Sequence, residues 1–337
     1  MAKWSKNKVD SSTINGGNEF TTQDNLAINE LNAVVNNSFY ASNIAENVAN
    51  QLSNLAPNEK IEFKGSNPNL LINGDFRVNQ RGQTSYNTTK DRIYTADRWR
   101  LSANNETNLT FDLSTMTLSN TGSSVGYLVQ MIENPDYLWG KTITISAKVD
   151  GVIKSLTLTL PSKPSSSGGV SSQLTLVSGK CNLRLFYYSG STNAIGFTFD
   201  IFANSSVTLE YAKLEIGSVA TAFSPRLYAE ELALCQRYYW KTTSTIMTYP
   251  AYSLTATTVR SILFMPVQLR VNPTITINGT ISDGYFGANG KLSYITDLTV
   301  TSHNYGQVLL SATGEFELNV AGALRLNNTF ELDAEIY

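Results

Sequence analysis

The chain has 337 residues, of which 15% are charged, and a formal net charge of −2 at pH 7. This length predicts two or three domains rather than one. The small negative charge argues against nucleic acid as the main partner, because phosphate binding needs concentrated Lys and Arg. No apolar run approaches the roughly 18 residues that span a bilayer, and the first residues lack the apolar core of a secretory signal.

The N-terminal part is predicted to contain an arm, a helical region and a linker. Residues 1–20 are polar and predict an attachment arm that a partner or a sister chain holds. Thr21 and Asp24 resemble a capping box, which opens a helical region over 21–56, and residues 57–68 read as a polar linker. Narrow apolar stripes in this helical region are typical of a coiled-coil seam; they contain Leu31, Val35, Ile44, Val48, Leu52 and Leu55. We expect an oligomerisation stalk, most simply a trimer, with a helical hairpin packed on its own chain as the alternative.

Residues 69–224 show the alternation expected of strands with one buried and one exposed face. The apolar rows include Ile143, Ile145, Ala147 and Val149, then Leu156, Leu158 and Leu160, then Ile195, Phe197, Phe199 and Ile201. In the closing strand the apolar phase shifts near Tyr211, which predicts a bulge. Many short strands without intervening helices favour an antiparallel β-sandwich of the jelly-roll kind.

A short junction helix is predicted over 225–240. Ser224 at the cap and Pro225 at the first helical position give its start, and an apolar stripe follows at helical spacing, made of Tyr228, Leu232, Cys235 and Tyr239. A helix of about three turns has little surface of its own to bury. We therefore expect it to pack between two domains or between identical chains, with an ordinary surface helix as the alternative.

Residues 241–337 are predicted to form a second antiparallel β-sandwich. Alternation places strands at 267–271, 316–320 and 330–336. The last of these carries like charges on one face, which need water or basic partners such as Arg325; they are Glu331, Asp333 and Glu335. The predicted fold class is mainly β, with a short N-terminal helical oligomerisation region followed by two antiparallel sandwiches joined by a short helix.

The residue types that carry most enzyme chemistry are scarce. His303 is the single histidine, which excludes the usual Ser-His-Asp and Cys-His arrangements unless it alone serves. Cys181 and Cys235 are too few for a disulfide framework, and no Cys or His cluster has metal-ligand spacing. The sequence has neither a P-loop nor a GxGxxG motif. We expect no enzyme activity and no cofactor.

Aromatic residues are frequent, with 17 Tyr, 14 Phe and 4 Trp. Aromatic faces stack on sugar rings and neutral amides bind sugar hydroxyls, so this composition suits weak glycan recognition. The candidate contacts lie in predicted loops of the C-terminal domain and, secondarily, of the sandwich; they are Tyr285, Phe286, His303 and Tyr305, then Tyr137 and Trp139. A place in the core is the alternative for each.

Several motifs resemble those of tail-fibre and receptor-binding proteins of tailed bacteriophages. They lie at the opening of the sandwich, at the junction and in the C-terminal domain: NLLINGDF (69–76), NQRG (79–82), ADRWR (96–100), KLEIG…FSPR…EELALCQRYYW (213–240), MPVQLRVNPT (265–274) and LDAEI (332–336). TTQD (21–24) with NNSFY (36–40) is similar to the attachment regions of phage baseplate components.

The resemblance implies a homotrimeric virion adhesin, made in the host cytoplasm and attached to the tail or baseplate by its N-terminal arm. Its β domains would bind host cell-surface polysaccharide. The sandwich is similar to jelly-roll carbohydrate-binding modules, some of which hold a structural calcium. Asp75 and Glu215 are candidates for two of its six or more oxygen ligands, with ordinary surface carboxylates as the alternative. Two other functions stay open: a purely structural fibre or connector of head, collar or tail, and a polysaccharide-degrading tail enzyme.

Overall fold

The computed structural model describes residues 66–170, 173–189, 193–242, 247–279 and 284–336. The predicted arm, the predicted helical region and most of the linker lie outside these residues. Six of the predicted oligomerisation residues lie there too: Leu31, Val35, Ile44, Val48, Leu52 and Leu55.

The first part of the described chain is built from short antiparallel strands. They are β1 (Ser85–Thr88), β2 (Arg92–Tyr94), β3 (Arg100–Ser102), β4 (Leu109–Asp112), β5 (Thr117–Asn120), β6 (Gly126–Glu133), β7 (Thr142–Val149), β8 (Val152–Thr159), β9 (Gly168–Gly169), β10 (Leu174–Val177), β11 (Cys181–Tyr188), β12 (Ala194–Ile201) and β13 (Ser205–Ile216). A 3-10 helix, Pro135–Leu138, lies between β6 and β7.

These strands form two sheets around one core, here called the sandwich. One sheet has the order β1-β4-β5-β13-β7-β8; the other has the order β10-β11-β12-β6-β3-β2, with β9 beside β11. Trp99 is fully buried at the centre of the core, and its ring centroid lies 4.9 Å from that of Phe76 and 5.9 Å from that of Phe199. The prediction of a mainly β, antiparallel fold is confirmed, and two sheets over one core agree with a sandwich.

Alternation explains which side chains fill this core. In β12, Ile195, Phe197, Phe199 and Ile201 are all fully buried and belong to the core, because successive side chains of a strand point to opposite faces of the sheet. The bulge predicted near Tyr211 is confirmed, since the pairing of β13 with β7 shifts register between Leu209 and Tyr211.

A segment with little regular structure connects the sandwich to the C-terminal strands. Its helix, α1 (Tyr228–Gln236), begins after the predicted start, with Leu227 rather than Ser224 at the cap position and no side-chain cap. The prediction over 225–240 was therefore wrong at both ends, since β14 (Tyr239–Lys241) follows the helix. The Arg226 guanidinium donates to the Glu231 carboxylate at 3.0 Å, which holds the segment before the helix against its first turn. In the described part of the chain, no helix has the length and apolar character needed to cross a membrane.

The remaining strands are β15 (Met247–Thr255), β16 (Thr258–Phe264), β17 (Thr274–Asn278), β18 (Tyr285–Ala288), β19 (Lys291–His303), β20 (Gln307–Gly314), β21 (Ala321–Leu326) and β22 (Thr329–Asp333). Six of them close into a barrel in the order β15-β16-β20-β19-β18-β21, and β14-β22-β17 form a small sheet. A closed barrel thus stands where a second sandwich was predicted. Two register shifts in the pairing of β19 with β20 are the kind of irregularity that bends a strand enough for closure.

Two predicted C-terminal strands are irregular, and one is confirmed. Residues 267–271 are not a strand, because their backbone donors go elsewhere: Leu269 N–H donates to the Tyr305 carbonyl at 2.7 Å and Arg270 N–H to the Arg237 carbonyl at 2.8 Å. Residues 316–320 form a turn, and β21 begins after it. Over 330–336 the predicted apolar positions are all buried, even beyond the end of β22, but Glu335 on the opposite face is buried too; the apolar members are Phe330, Leu332, Ala334 and Ile336.

Candidate functional site

A cleft of about 230 Å³ opens on the outer face of the seven-stranded sheet. Its lining residues come from β2, β3, β6, β11 and β12. On these strands the inward positions fill the core, so the outward positions are left to shape the cleft. Because every lining side chain stands on a paired strand, the arrangement is fixed by the sheet rather than by loops.

Cross-strand pairing sets the width of the cleft. Arg184 of β11 faces Thr198 of β12, Thr198 faces Val129 of β6, and Val129 faces Arg100 of β3. Three strand spacings place the Cα atoms of Arg184 and Arg100 roughly 14 Å apart. The shorter side chains of Thr198 and Val129 therefore form a floor between two arginine walls.

Gly196 provides the depth at one end. It pairs with Phe186 on one side and Met131 on the other. A Cβ at this position would lie 3.3 Å from Met131 Sδ and 3.6 Å from Val129 Cγ1, tight enough that larger side chains would fill the space. The missing side chain keeps the floor open between Phe186 and Met131.

Arg184 is held in place by a carboxylate and two rings. Its Nε donates to Asp200 Oδ2 at 2.5 Å, and the Asp200 side chain is only 6% exposed. Burial raises the pKa of Asp200, and the Arg184 charge opposes that rise. The guanidinium carbon also lies 5.2 Å from the centroid of the Tyr127 ring and 5.9 Å from that of Phe186, within the range of cation–π attraction.

The opposite wall carries two further arginines. Arg100 donates from Nη1 to the Ile336 carbonyl at 3.1 Å, so the C-terminal segment borders the cleft. Arg92 pairs with Ser102 in the next row and is exposed, and among the described residues it has no ion pair or side-chain hydrogen bond. Among the described residues Asp200 is paired with Arg184, and the Arg92 charge has no carboxylate beside it, in a chain whose net charge is −2.

The predicted contacts in the C-terminal domain are not gathered into one site. Phe286 is 2% exposed and packs on Phe316 with ring centroids 5.8 Å apart, so its prediction as a glycan contact was wrong: it is a core residue. Tyr285 accepts a hydrogen bond from Arg325 Nη1 at 2.9 Å. His303 and Tyr305 are exposed at the turn between β19 and β20.

Position along β19 separates these residues further. Tyr285 pairs with Tyr294, and His303 is the last residue of the same strand. Nine residues at about 3.3 Å each make roughly 30 Å along the strand. Tyr285 and His303 therefore do not contribute to one small binding site.

The predicted sandwich contacts lie outside the cleft. Tyr137 belongs to the 3-10 helix and is 49% exposed. Trp139 is half-buried, with its ring 5.2 Å from that of Tyr187 in an edge-on arrangement. Neither residue lines the cleft.

The two candidate calcium ligands have protein partners. Asp75 lies 3.3 Å from Arg77 Nε. Glu215 is buried, lies 3.2 Å from Lys213 Nζ and accepts hydrogen bonds from Thr221 N–H and its hydroxyl. Within the described ranges, no group of three or more His, Cys, Asp or Glu residues is placed to hold a metal ion.

The stripe of α1 divides between the surface and the interior. Tyr228 is exposed and Leu232 is half-buried, whereas Cys235 and Tyr239 are buried within the chain. The prediction of oligomerisation contacts was therefore wrong for Cys235 and Tyr239. They pack between the sandwich and the C-terminal strands, which was the other expectation for this helix.

Where the sandwich meets the C-terminal strands, a group of buried charged and aromatic residues joins the two; we call it the junction. It contains Arg81, Asp97, Arg98, Tyr238 and Glu335. Arg98 Nη1 donates to Glu335 Oε2, and the Arg98 guanidinium lies 3.5 Å from the centroid of the Tyr238 ring. Arg81 lies 3.6 Å from Asp97 and 3.8 Å from Glu335.

Burial and charge act against each other in the junction. Burial lowers the pKa of Arg98, but the Glu335 charge, the Tyr238 and Tyr94 side chains and the hydrogen bond to Glu335 together outweigh burial, so the pKa is raised above its usual value. Burial raises the pKa of Asp97 to about 6, and the Arg81 charge limits that rise. The C-terminal carboxylates were expected to need water or basic partners such as Arg325; Glu335 is paired with arginines of the sandwich, and Glu331 with Lys241 at 2.9 Å.

Sequence reasoning missed both the cleft and the junction. No family model, curated protein or solved structure matches this chain. One signal was present for the cleft: Arg184 is the only charged residue of β11, and Asp200 is the only charged residue of β12. The two residues lie on adjacent strands, β11 and β12. Their contact therefore depends on how these strands are aligned, and the sequence does not specify that register.

Proposed function

We propose that the chain is a bacteriophage tail-fibre or receptor-binding protein that binds host cell-surface glycans through the cleft of its sandwich. The observation that carries this proposal is the cleft itself, with aromatic rings and hydrogen-bonding side chains on paired strands. Attachment to the virion tail through the N-terminal arm and assembly as a homotrimer complete the proposal; both rest on the resemblance of the sequence motifs to phage proteins.

The chemistry of the cleft suits sugars. Tyr127, Phe186 and Tyr188 offer ring faces and edges that pack on the C–H surface of a sugar ring, and Ser102 and Thr198 offer hydroxyls for its polar rim. A shallow site on a rigid sheet binds one sugar unit weakly. Three copies on one fibre raise the effective concentration, and hence the avidity, by about 10²–10⁴.

Filling the cleft tests this proposal. We expect Gly196→Leu to abolish binding of the full-length protein to host cells and to remove its ability to block phage adsorption, because the new side chain occupies the floor beside Met131. Ser206→Leu, an exposed position on β13 of the other sheet, is the matched control and should bind as the unaltered protein does. Full binding by a folded Gly196→Leu variant would reject the cleft as the receptor site.

A structural connector is the second candidate, and the junction favours it. Buried ion pairs between the sandwich and the C-terminal strands fix the two in one orientation, as a connector requires. A connector would show no binding to host cells in the same assay, while its loss from virions would prevent assembly of the tail. Release of reducing sugars from host polysaccharide would instead support a degrading enzyme and contradict both candidates.

A further inference from the structure

The charge of the cleft is unbalanced. Arg184 stands on one wall and is paired with Asp200, while Arg92 stands on the other wall and, among the described residues, contacts no carboxylate. The excess of positive charge is local, because the whole chain carries a net charge of −2. A neutral ligand would gain nothing from this excess, whereas an anionic group would.

The arginines also keep donors for such a group. A guanidinium has five N–H donors, and Asp200 accepts from Nε of Arg184, whose side chain is 27% exposed. Arg92 is exposed, and in the described part of the chain none of its donors is used by another residue. Guanidiniums pair with carboxylates and phosphates through two parallel, charge-assisted hydrogen bonds.

The size of the cleft limits what carries the anionic group. Its volume of about 230 Å³ lies below the roughly 300–1,000 Å³ of sites that enclose a whole drug-sized ligand. One sugar unit with its charged substituent can enter while the rest of a polymer stays outside. A single-stranded nucleic acid needs a basic groove that tracks several phosphates, and one cleft of this size on a net negative chain offers a single anion position.

We infer that the cleft recognises an anionic saccharide, meaning a sugar unit that bears a carboxylate or phosphate group, with Arg92 and Arg184 binding the anionic group from opposite walls and the aromatic rings packing on the sugar. This inference rests on the proposed function and specifies its ligand class. The shared chemistry is an oxyanion attached to a sugar polymer; carboxylate-bearing and phosphate-bearing polymers are its two sources.

Binding to three immobilised polymers distinguishes a carboxylate-bearing ligand from a phosphate-bearing one. The full-length protein is tested for binding to polygalacturonate, to a phosphomannan and to neutral dextran at about 50 and 300 mM salt, spanning the range over which salt screens exposed charges. We expect at least one anionic polymer to bind roughly tenfold or more tightly than dextran, and that binding to weaken at high salt. The polymer that binds more tightly identifies the source.

A matched pair of variants assigns the effect to the cleft. Arg92→Gln should weaken anionic-polymer binding by roughly three- to tenfold, the loss expected for one exposed charge-assisted contact. Arg260→Gln removes the same charge from an exposed position on β16 of the barrel and should change nothing. Equal losses in both variants would mean a diffuse charge effect and would overturn the inference.

Two further outcomes would also overturn it. Tighter binding to a 20-nucleotide deoxythymidine strand than to either anionic polymer would identify a nucleic acid as the ligand. Dextran binding that equals anionic-polymer binding, is unchanged by salt and is lost in Gly196→Leu would leave the proposed function standing with a neutral sugar as its ligand. Failure of the proposed function itself has a different signature, namely host-cell binding that Gly196→Leu does not affect.

Discussion

The junction and the cleft use the same residue type in opposite ways. At the junction, the Arg98 side chain is 1% exposed and is paired with a carboxylate that is fully buried. In the cleft, Arg92 is exposed and Arg184 keeps part of its guanidinium in water. Removing a guanidinium from water costs several kcal/mol unless a well-placed partner offsets it. The junction arginines are therefore committed to holding the chain together, whereas Arg92 and Arg184 are available to a ligand.

The comparison predicts a large difference in stability from the same substitution. Arg98→Met leaves Glu335 buried without its closest partner, so we expect the free energy of unfolding to fall by about 3–5 kcal/mol. Arg92→Met, at the exposed edge of the cleft, should change it by less than about 0.5 kcal/mol. Urea denaturation of the two variants measures both values. Comparable losses would mean that burial does not distinguish the two groups.

Asp97 makes the junction sensitive to pH. Burial raises the pKa of its carboxyl from 3.8 to about 6, so the folded protein binds a proton there that the unfolded chain releases at lower pH. The stabilisation from this proton is complete below pH 3.8 and is lost as the pH rises through 6. We expect the unfolding free energy of the unaltered protein, relative to Asp97→Asn, to fall by at most about 3 kcal/mol between pH 4 and pH 7.

The measurement is a series of urea titrations at several pH values on both proteins. Using the difference between them removes the contribution of every other titrating group that the substitution leaves unchanged. A difference that stays flat, or rises with pH, would show that Asp97 is already ionised in the folded protein at pH 4.

Substituting the tyrosines that contact these arginines should also cost more stability at the junction than in the cleft, but less than substituting the arginines. The Tyr238 ring is buried and lies 3.5 Å from the Arg98 guanidinium, whereas the half-buried Tyr127 ring lies 5.2 Å from that of Arg184. Cation–π attraction is about 2 kcal/mol when desolvated and about 0.5–1 kcal/mol at exposed sites. Thermal or urea unfolding should therefore show Tyr238→Leu to be the more damaging change. A larger loss of stability in Tyr127→Leu would show that the Arg98–Tyr238 contact does not stabilise the junction.

Local patterns predicted much of the sandwich because they depend on neighbours in sequence. The apolar rows of β7 and β12 lie in the core as predicted, and the phase shift at Tyr211 is confirmed, although the opposite face of β12 is buried as well. Patterns failed where distant partners decide the backbone. Residues 267–271 alternate as a strand does, yet Leu269 and Arg270 donate to carbonyls of Tyr305 and Arg237.

The functional features depend on contacts that no local pattern contains. Arg98 and Glu335 are 237 positions apart, and the pair forms only because the C-terminal segment crosses the outer face of the sandwich. In the sequence, Arg98 and Arg100 look alike within one motif, but one is committed to the junction and the other stands at the wall of the cleft. The barrel was missed for a related reason: alternation is the same in a sandwich and a barrel, and only strand order distinguishes them.

Breaking an exposed ion pair should have the smallest effect on stability. Comparing it with a buried pair shows whether burial or separation sets the strength of an ion pair. Lys163 Nζ lies 2.9 Å from Asp136 Oδ1, closer than Arg81 is to Asp97 at 3.6 Å, but both of its members are exposed. Solvent screening and the entropy lost in ordering the two side chains cancel most of the attraction in such a pair. Lys163→Met should leave the urea midpoint unchanged, whereas Arg81→Met should lower it. If Lys163→Met lowers the midpoint as much as Arg81→Met does, separation rather than burial governs the strength of charge pairs in this protein, and the distinction between junction and cleft loses its physical basis.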